Sequence, residues 1–123
     1  MKSYTDLEQS KKLAEILPLE SADIEYMFLK KDGSKVSNVP FVKDEFEEHE
    51  CCYTFIPCWS LAALFGVLPT IDDKFEPQLH RSLDKYRCTY EGEEDSSGLW
   101  RVADNPIDAC YDIILKLHEL NIL

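Results

Sequence analysis

The stretch "DNPIDACYDIILKLHELNIL", residues 104–123, carries the clearest helix signal in the chain. Asp104 or Asn105 is placed to cap the helix, and Pro106 suits the first helical position, where no backbone N–H is needed. Apolar residues then recur at helical spacing and predict one buried stripe, formed by Cys110, Ile113, Ile114, Leu117 and Leu120. The sequence therefore predicts a closing helix with one face in the core.

The segments before this helix alternate apolar and polar residues with the period of a strand. In "YRCTYEG" the alternation places Tyr86, Cys88 and Tyr90 on one side. After a polar loop, "LWRVA" returns with the same period, and we expect Trp100 and Val102 to face those three side chains. The two segments therefore predict an antiparallel hairpin beneath the closing helix.

The first third of the chain has the pattern of a helix followed by a strand. Thr5 and Glu8 have the spacing of a capping box, and Pro18 ends the apolar pattern of the helix. Residues 24–29 alternate like a strand, and "KDGS", residues 31–34, has turn chemistry because glycine tolerates a positive φ.

The run "IPCWSLAALFGVLP" predicts a second helix between Pro57 and Pro69. It has no polar face, so we expect it to be buried. Residues 38–42 and 77–83 each predict a further strand, with a turn at residues 84–85, and a proline confines the first of the two to a sheet edge. This order predicts one α+β domain over residues 1–123, with an antiparallel sheet of about four to five strands packed by about three helices.

The charge balance is the most unusual bulk property of the chain. Its 24 acidic and 13 basic residues give a formal net charge of −11. Such a surface repels phosphate groups, so we expect no direct binding to nucleic acid and none to membranes. Solubility is one interpretation of the charge, and docking on a basic protein partner is the other. The candidate docking residues form two clusters, Asp44, Glu45, Glu47, Glu48 and Glu50, and Glu91, Glu93, Glu94 and Asp95.

The stretch "CCYTFIPCWSLAAL", residues 51–64, concentrates three of the five cysteines. Structural zinc sites use cysteine pairs two to four residues apart, and this chain has no C-x-x-C, so we expect no metal. Cys58 follows Pro57, and a position in the first turn of a helix would lower its pKa and make it a reactive thiol. Its apolar neighbours favour packing in the core instead, and both interpretations stay open.

Signatures of catalysis are missing from the sequence. It has no G-x-S-x-G, P-loop or dinucleotide glycine pattern, and its three histidines are scattered, so we expect no catalytic residues and no cofactor. An odd number of cysteines, together with an N-terminus that lacks an apolar export segment, indicates a reducing, cytoplasmic compartment.

Three stretches resemble a family of small proteins from gut bacteria of the Bacteroides group and from their phages and mobile elements. They are "PCWSLAAL", "NPIDACYDIILKLHEL" and the N-terminal "YTDLEQSKKLAEILPLESADI". The family carries no assigned activity, so the resemblance implies a bacterial, cytoplasmic accessory role and transfers no site residue.

Three functional hypotheses follow from the sequence. The leading one is a non-catalytic binding module from a mobile-element or phage-derived locus, which docks on a basic partner. An alternative is a small enzyme or thiol-based sensor centred on Cys58. Another is a structural homodimer, in which the terminal "LNIL" and the exposed sides of the strands supply apolar contact.

Overall fold

In the computed structural model, the described residues are 1–43, 52–94 and 96–123. They form an α+β fold with two antiparallel sheets of three strands each, where the sequence predicts one sheet of four to five strands. The helices and strands are α1 (Leu7–Ala14), β1 (Ile24–Leu29), β2 (Phe41–Val42), β3 (Tyr53–Cys58), α2 (Leu61–Gly66), β4 (Glu76–Ser82), β5 (Lys85–Glu91), β6 (Ser96–Ala103) and α3 (Pro106–Glu119). The predicted class and the long C-terminal helix are confirmed.

The contacts divide the chain into two compact units. One is residues 4–63, and the other is residues 64–123 together with residues 1–3. That residues 1–123 act as one domain stays a prediction. None of the described helices has the length and apolar character needed to cross a lipid bilayer.

The sheet of the first unit has the order β2-β1-β3. The predicted turn after β1 is confirmed, with Gly33 at φ +72°, and the edge position of the next strand is confirmed by the pairing of Phe41 and Val42 with β1. The capping box of α1 lies one residue later than predicted. Asp6 Oδ1 accepts from the Gln9 backbone at 2.8 Å, and the Asp6 backbone donates to Gln9 Oε1 at 3.1 Å.

The predicted second helix is shorter than expected, which corrects the position of Cys58. Residues 53–58 pair along the whole of β1, so Pro57 and Cys58 belong to strand β3. An apolar run fits a strand as well as a helix, and the pairing decides between them. The helix begins after Ser60, whose hydroxyl accepts from the Ala63 backbone at 3.3 Å. Leu64 is its one buried residue, so the expectation of a fully buried helix is wrong.

In the second unit, α3 lies against β5 and β6. Its cap is the predicted one, since Asn105 Oδ1 accepts from the Asp108 backbone at 2.9 Å with Pro106 next to it. Four residues of the predicted stripe are buried, namely Cys110, Ile113, Ile114 and Leu117. Leu120 is 48% exposed because the helix ends at Glu119, so its assignment to the core is wrong.

The sheet β4-β5-β6 has one face towards α3, and its other face is open to solvent except at Thr89, which is 3% exposed. The expectation for Trp100 and Val102 is wrong, because they pair with Thr89 and Arg87 and lie on the side opposite Cys88. They are 46% and 44% exposed. We call this side the open face and the other the covered face. The open face consists of Glu76, Gln78, His80, Arg87, Thr89, Glu91, Trp100 and Val102.

Candidate functional site

An acidic groove of about 560 Å³ lies at one end of the sheet β4-β5-β6. Five carboxylates and one ammonium group surround it, so its potential is strongly negative. The lining residues are Asp73, Lys74, Glu76, Gln78, Glu91, Gly92, Glu93 and Glu94.

Strand pairing brings these acids together from two separate parts of the chain. Glu76, the first residue of β4, pairs directly with Glu91, the last residue of β5. A tight turn precedes β4, where the Phe75 backbone donates to the Ile71 carbonyl at 2.9 Å and Asp73 has φ +56°. The loop before β4 and the loop after β5 therefore meet at the same end of the sheet.

The groove brings carboxylates of like charge together. Like charges directly opposite each other on paired strands destabilise a sheet, and Glu76 and Glu91 are such a pair. The Thr89 hydroxyl donates to Glu91 Oε1 at 3.0 Å and orients that carboxylate along the open face. A bound cationic group would relieve the repulsion, so the arrangement is suited to binding positive charge.

The sequence found part of this groove and missed the rest. Glu91, Glu93 and Glu94 were predicted as docking residues, and the structure adds Asp73 and Lys74 from the turn before β4 and Glu76 and Gln78 from β4 itself. The predicted turn at residues 84–85 was the available signal, because a hairpin there would set the start of the β4 segment opposite the end of the β5 segment. The predicted residues Asp44, Glu45, Glu47, Glu48, Glu50 and Asp95 lie outside the described residues.

The open face continues from the groove along the sheet. His80 Nε2 and Gln78 Oε1 are hydrogen-bonded at 3.0 Å along β4. The Arg87 guanidinium lies 4.9 Å from the centre of the Trp100 ring, in a cation–π contact between β5 and β6. Side chains from all three strands therefore join the groove to Trp100 on one surface.

Cys58 lies in the interior of the first unit. Its side chain is fully buried, and Sγ donates to the Thr5 carbonyl at 3.3 Å. Burial raises the pKa of the Cys58 thiol, although hydrogen bonds from Thr5 and Ser10 oppose the shift. At the end of a strand, Cys58 also lacks the helix N-terminus that was the argument for a low pKa. These features favour packing over reactivity.

Two other thiols meet on the covered face of the second unit. Cys88 of β5 and Cys110 of α3 are both fully buried and hydrogen-bond to each other. That hydrogen bond and burial raise the pKa of Cys110. Across residues 1–43, 52–94 and 96–123, no three His, Cys, Asp or Glu side chains form a group that could hold a metal ion.

Compared with known proteins, the chain matches no family model, no curated protein and no solved structure.

Proposed function

We propose that this chain is a small, non-catalytic binding module that docks on a basic protein partner through its acidic groove. The single observation that carries the proposal is the groove itself, which is lined by five carboxylates and one lysine from β4, β5 and the loops next to them. The repulsion between Glu76 and Glu91 supports it, because a protein selected only for stability gains nothing from that pair.

The net charge of −11 supports a role for charge beyond the groove. It accelerates encounters with a basic partner and repels competing polyanions. The setting we propose is the bacterial cytoplasm, in a mobile-element or phage-derived locus, and this rests on the resemblance of three stretches to that family.

The test uses a defined basic probe, an unstructured ten-residue peptide of alternating lysine and glycine, titrated into the full chain by calorimetry. One variant neutralises the groove by Glu76→Gln, Glu93→Gln and Glu94→Gln. A matched control, Glu8→Gln, Glu15→Gln and Glu20→Gln, removes the same charge from exposed positions in the other unit.

We expect the groove variant to bind about tenfold more weakly, and the control to lose less than about threefold. The affinity of the unmodified chain should fall as salt rises, because exposed charges are screened over about 10 Å at 0.1 M. Equal losses in both variants would mean that net charge alone attracts the peptide. No binding at low salt would make docking on a basic partner wrong.

A further inference from the structure

Resting on the proposed function, we propose that the open face extends the groove into one docking surface for an extended basic segment, with Trp100 as its apolar anchor. The acidic end would take lysine or arginine side chains. The partner would place an apolar side chain against the Trp100 ring. The partner segment is therefore basic, extended and carries one apolar side chain.

The first argument is the exposure of Trp100 and Val102. They alternate with half-buried residues along β6 and stand side by side on the face away from α3. Neither contributes to the covered face, so the core does not account for a tryptophan there. Tryptophan combines a large apolar area with a polar N–H and is enriched among the residues that dominate binding energies.

The second argument is spacing. Glu91 and Thr89 are two residues apart on β5, about 7 Å along an extended strand, and Trp100 pairs with Thr89. Side chains on one side of an extended peptide are also about 7 Å apart. A segment lying on the open face would therefore set one side chain in the groove while the next reaches Trp100.

The third argument is charge complementarity. The carboxylates lie at the groove, whereas Arg87 already places a guanidinium 4.9 Å from the centre of the Trp100 ring, so the basic side chains of the partner belong at the groove and its apolar side chain belongs at Trp100. A second copy of this chain is disfavoured as the occupant, because each copy carries a formal net charge of −11 and two copies repel each other. A basic segment is attracted by that charge, and an apolar side chain at Trp100 keeps its lysines away from Arg87.

The experiment compares two peptides on the full chain. They differ only at the fifth residue, which is a lysine in the peptide above: it is glycine in the first and leucine in the second, so this side chain lies on the same side of the extended peptide as the lysines. Trp100→Ala removes the proposed anchor, and Val39→Ala truncates an exposed apolar residue elsewhere as the control. Calorimetry gives the affinities, and sedimentation gives the oligomeric state of each variant.

We expect the leucine peptide to bind the unmodified chain roughly fivefold more tightly than the glycine peptide. Trp100→Ala should abolish that preference, while Val39→Ala should keep it. A leucine preference that survives Trp100→Ala would overturn the inference, as would a dimer that Trp100→Ala converts to a monomer. The groove variant tests the proposed function separately, because the affinity of the glycine peptide depends on charge alone.

Discussion

The two faces of the sheet β4-β5-β6 are built from the same strands and differ in almost every physical property. The covered face presents Cys88 and Tyr90 to α3, and both are fully buried. The open face presents an acidic end and an exposed Trp100. Alternation along a strand thus lets one sheet hold a core on one side and a binding surface on the other.

The largest difference between the faces should be in stability. Ile113→Ala opens a cavity beneath α3, where the side chain is fully buried, and should cost about 2–5 kcal/mol. Val102→Ala on the open face should change the free energy of unfolding by less than about 0.5 kcal/mol. Urea unfolding of both variants measures the contrast, and similar losses would mean that the open face is also part of a core.

A second contrast, between the covered face and an exposed cysteine of the first unit, should appear in thiol alkylation. Cys52 is exposed, whereas Cys88 and Cys110 are fully buried, so their labelling requires local opening. We expect Cys52 to react at least about a hundredfold faster at neutral pH, with Cys58 as slow as the covered-face pair. Peptide mass spectrometry resolves each site, and urea-unfolded protein is the control. Fast labelling of Cys58 in the folded chain would restore the thiol-sensor alternative.

The third difference concerns alkaline pH. Burial, with smaller contributions from Cys88 and Cys110, raises the pKa of Tyr90 above the value of about 10 for an unfolded chain. The unfolded state then loses its proton first, so the stability that is present below pH 10 should fall as pH rises further. Urea unfolding between pH 8 and 11.5 measures this. Tyr90→Phe should show a shallower loss, and an unchanged slope would contradict the assignment.

The smallest difference is between two tyrosine hydroxyls. Among the described residues, the buried Tyr90 hydroxyl has no hydrogen-bond partner, whereas the Tyr26 hydroxyl donates to the Thr5 carbonyl at 2.8 Å. Tyr90→Phe should therefore stabilise the chain by about 1 kcal/mol, and Tyr26→Phe should destabilise it by about 1 kcal/mol. Thermal unfolding measures whether each variant is more or less stable than the unmodified chain. A destabilising Tyr90→Phe would mean that the Tyr90 hydroxyl does make a hydrogen bond and would contradict this prediction.

Local signals in the sequence predicted local structure well. The cap and proline at the start of α3, and the turn at Gly33, depend on a few neighbouring residues, and both were placed correctly. The alternation within β5 was also correct, since it needs no knowledge of the neighbouring strand. The division of the six described strands into two sheets depends on long-range pairing, which no local pattern contains.

Register was the part that local patterns could not supply. Which face Trp100 occupies depends on its pairing with Thr89, and a shift of one residue would move it to the covered face. For the same reason the sequence did not predict the β4 side of the groove, because Glu76 and Glu91 meet only through strand pairing. The prediction of a helix at Cys58 was wrong for a related reason. Strand β3 forms by pairing with β1, and no local pattern shows that pairing.

The most direct test of the account is a ¹H–¹⁵N spectrum of the labelled chain during titration with the leucine-containing lysine peptide. The two indole N–H signals form an internal comparison, since Trp59 is fully buried and donates to Ser21 at 2.9 Å. We predict that the Trp100 indole and the backbone amides of residues 91–94 shift together, while the Trp59 indole stays in place. Shifts confined to other residues, with Trp100 unmoved, would contradict the open face as the binding surface.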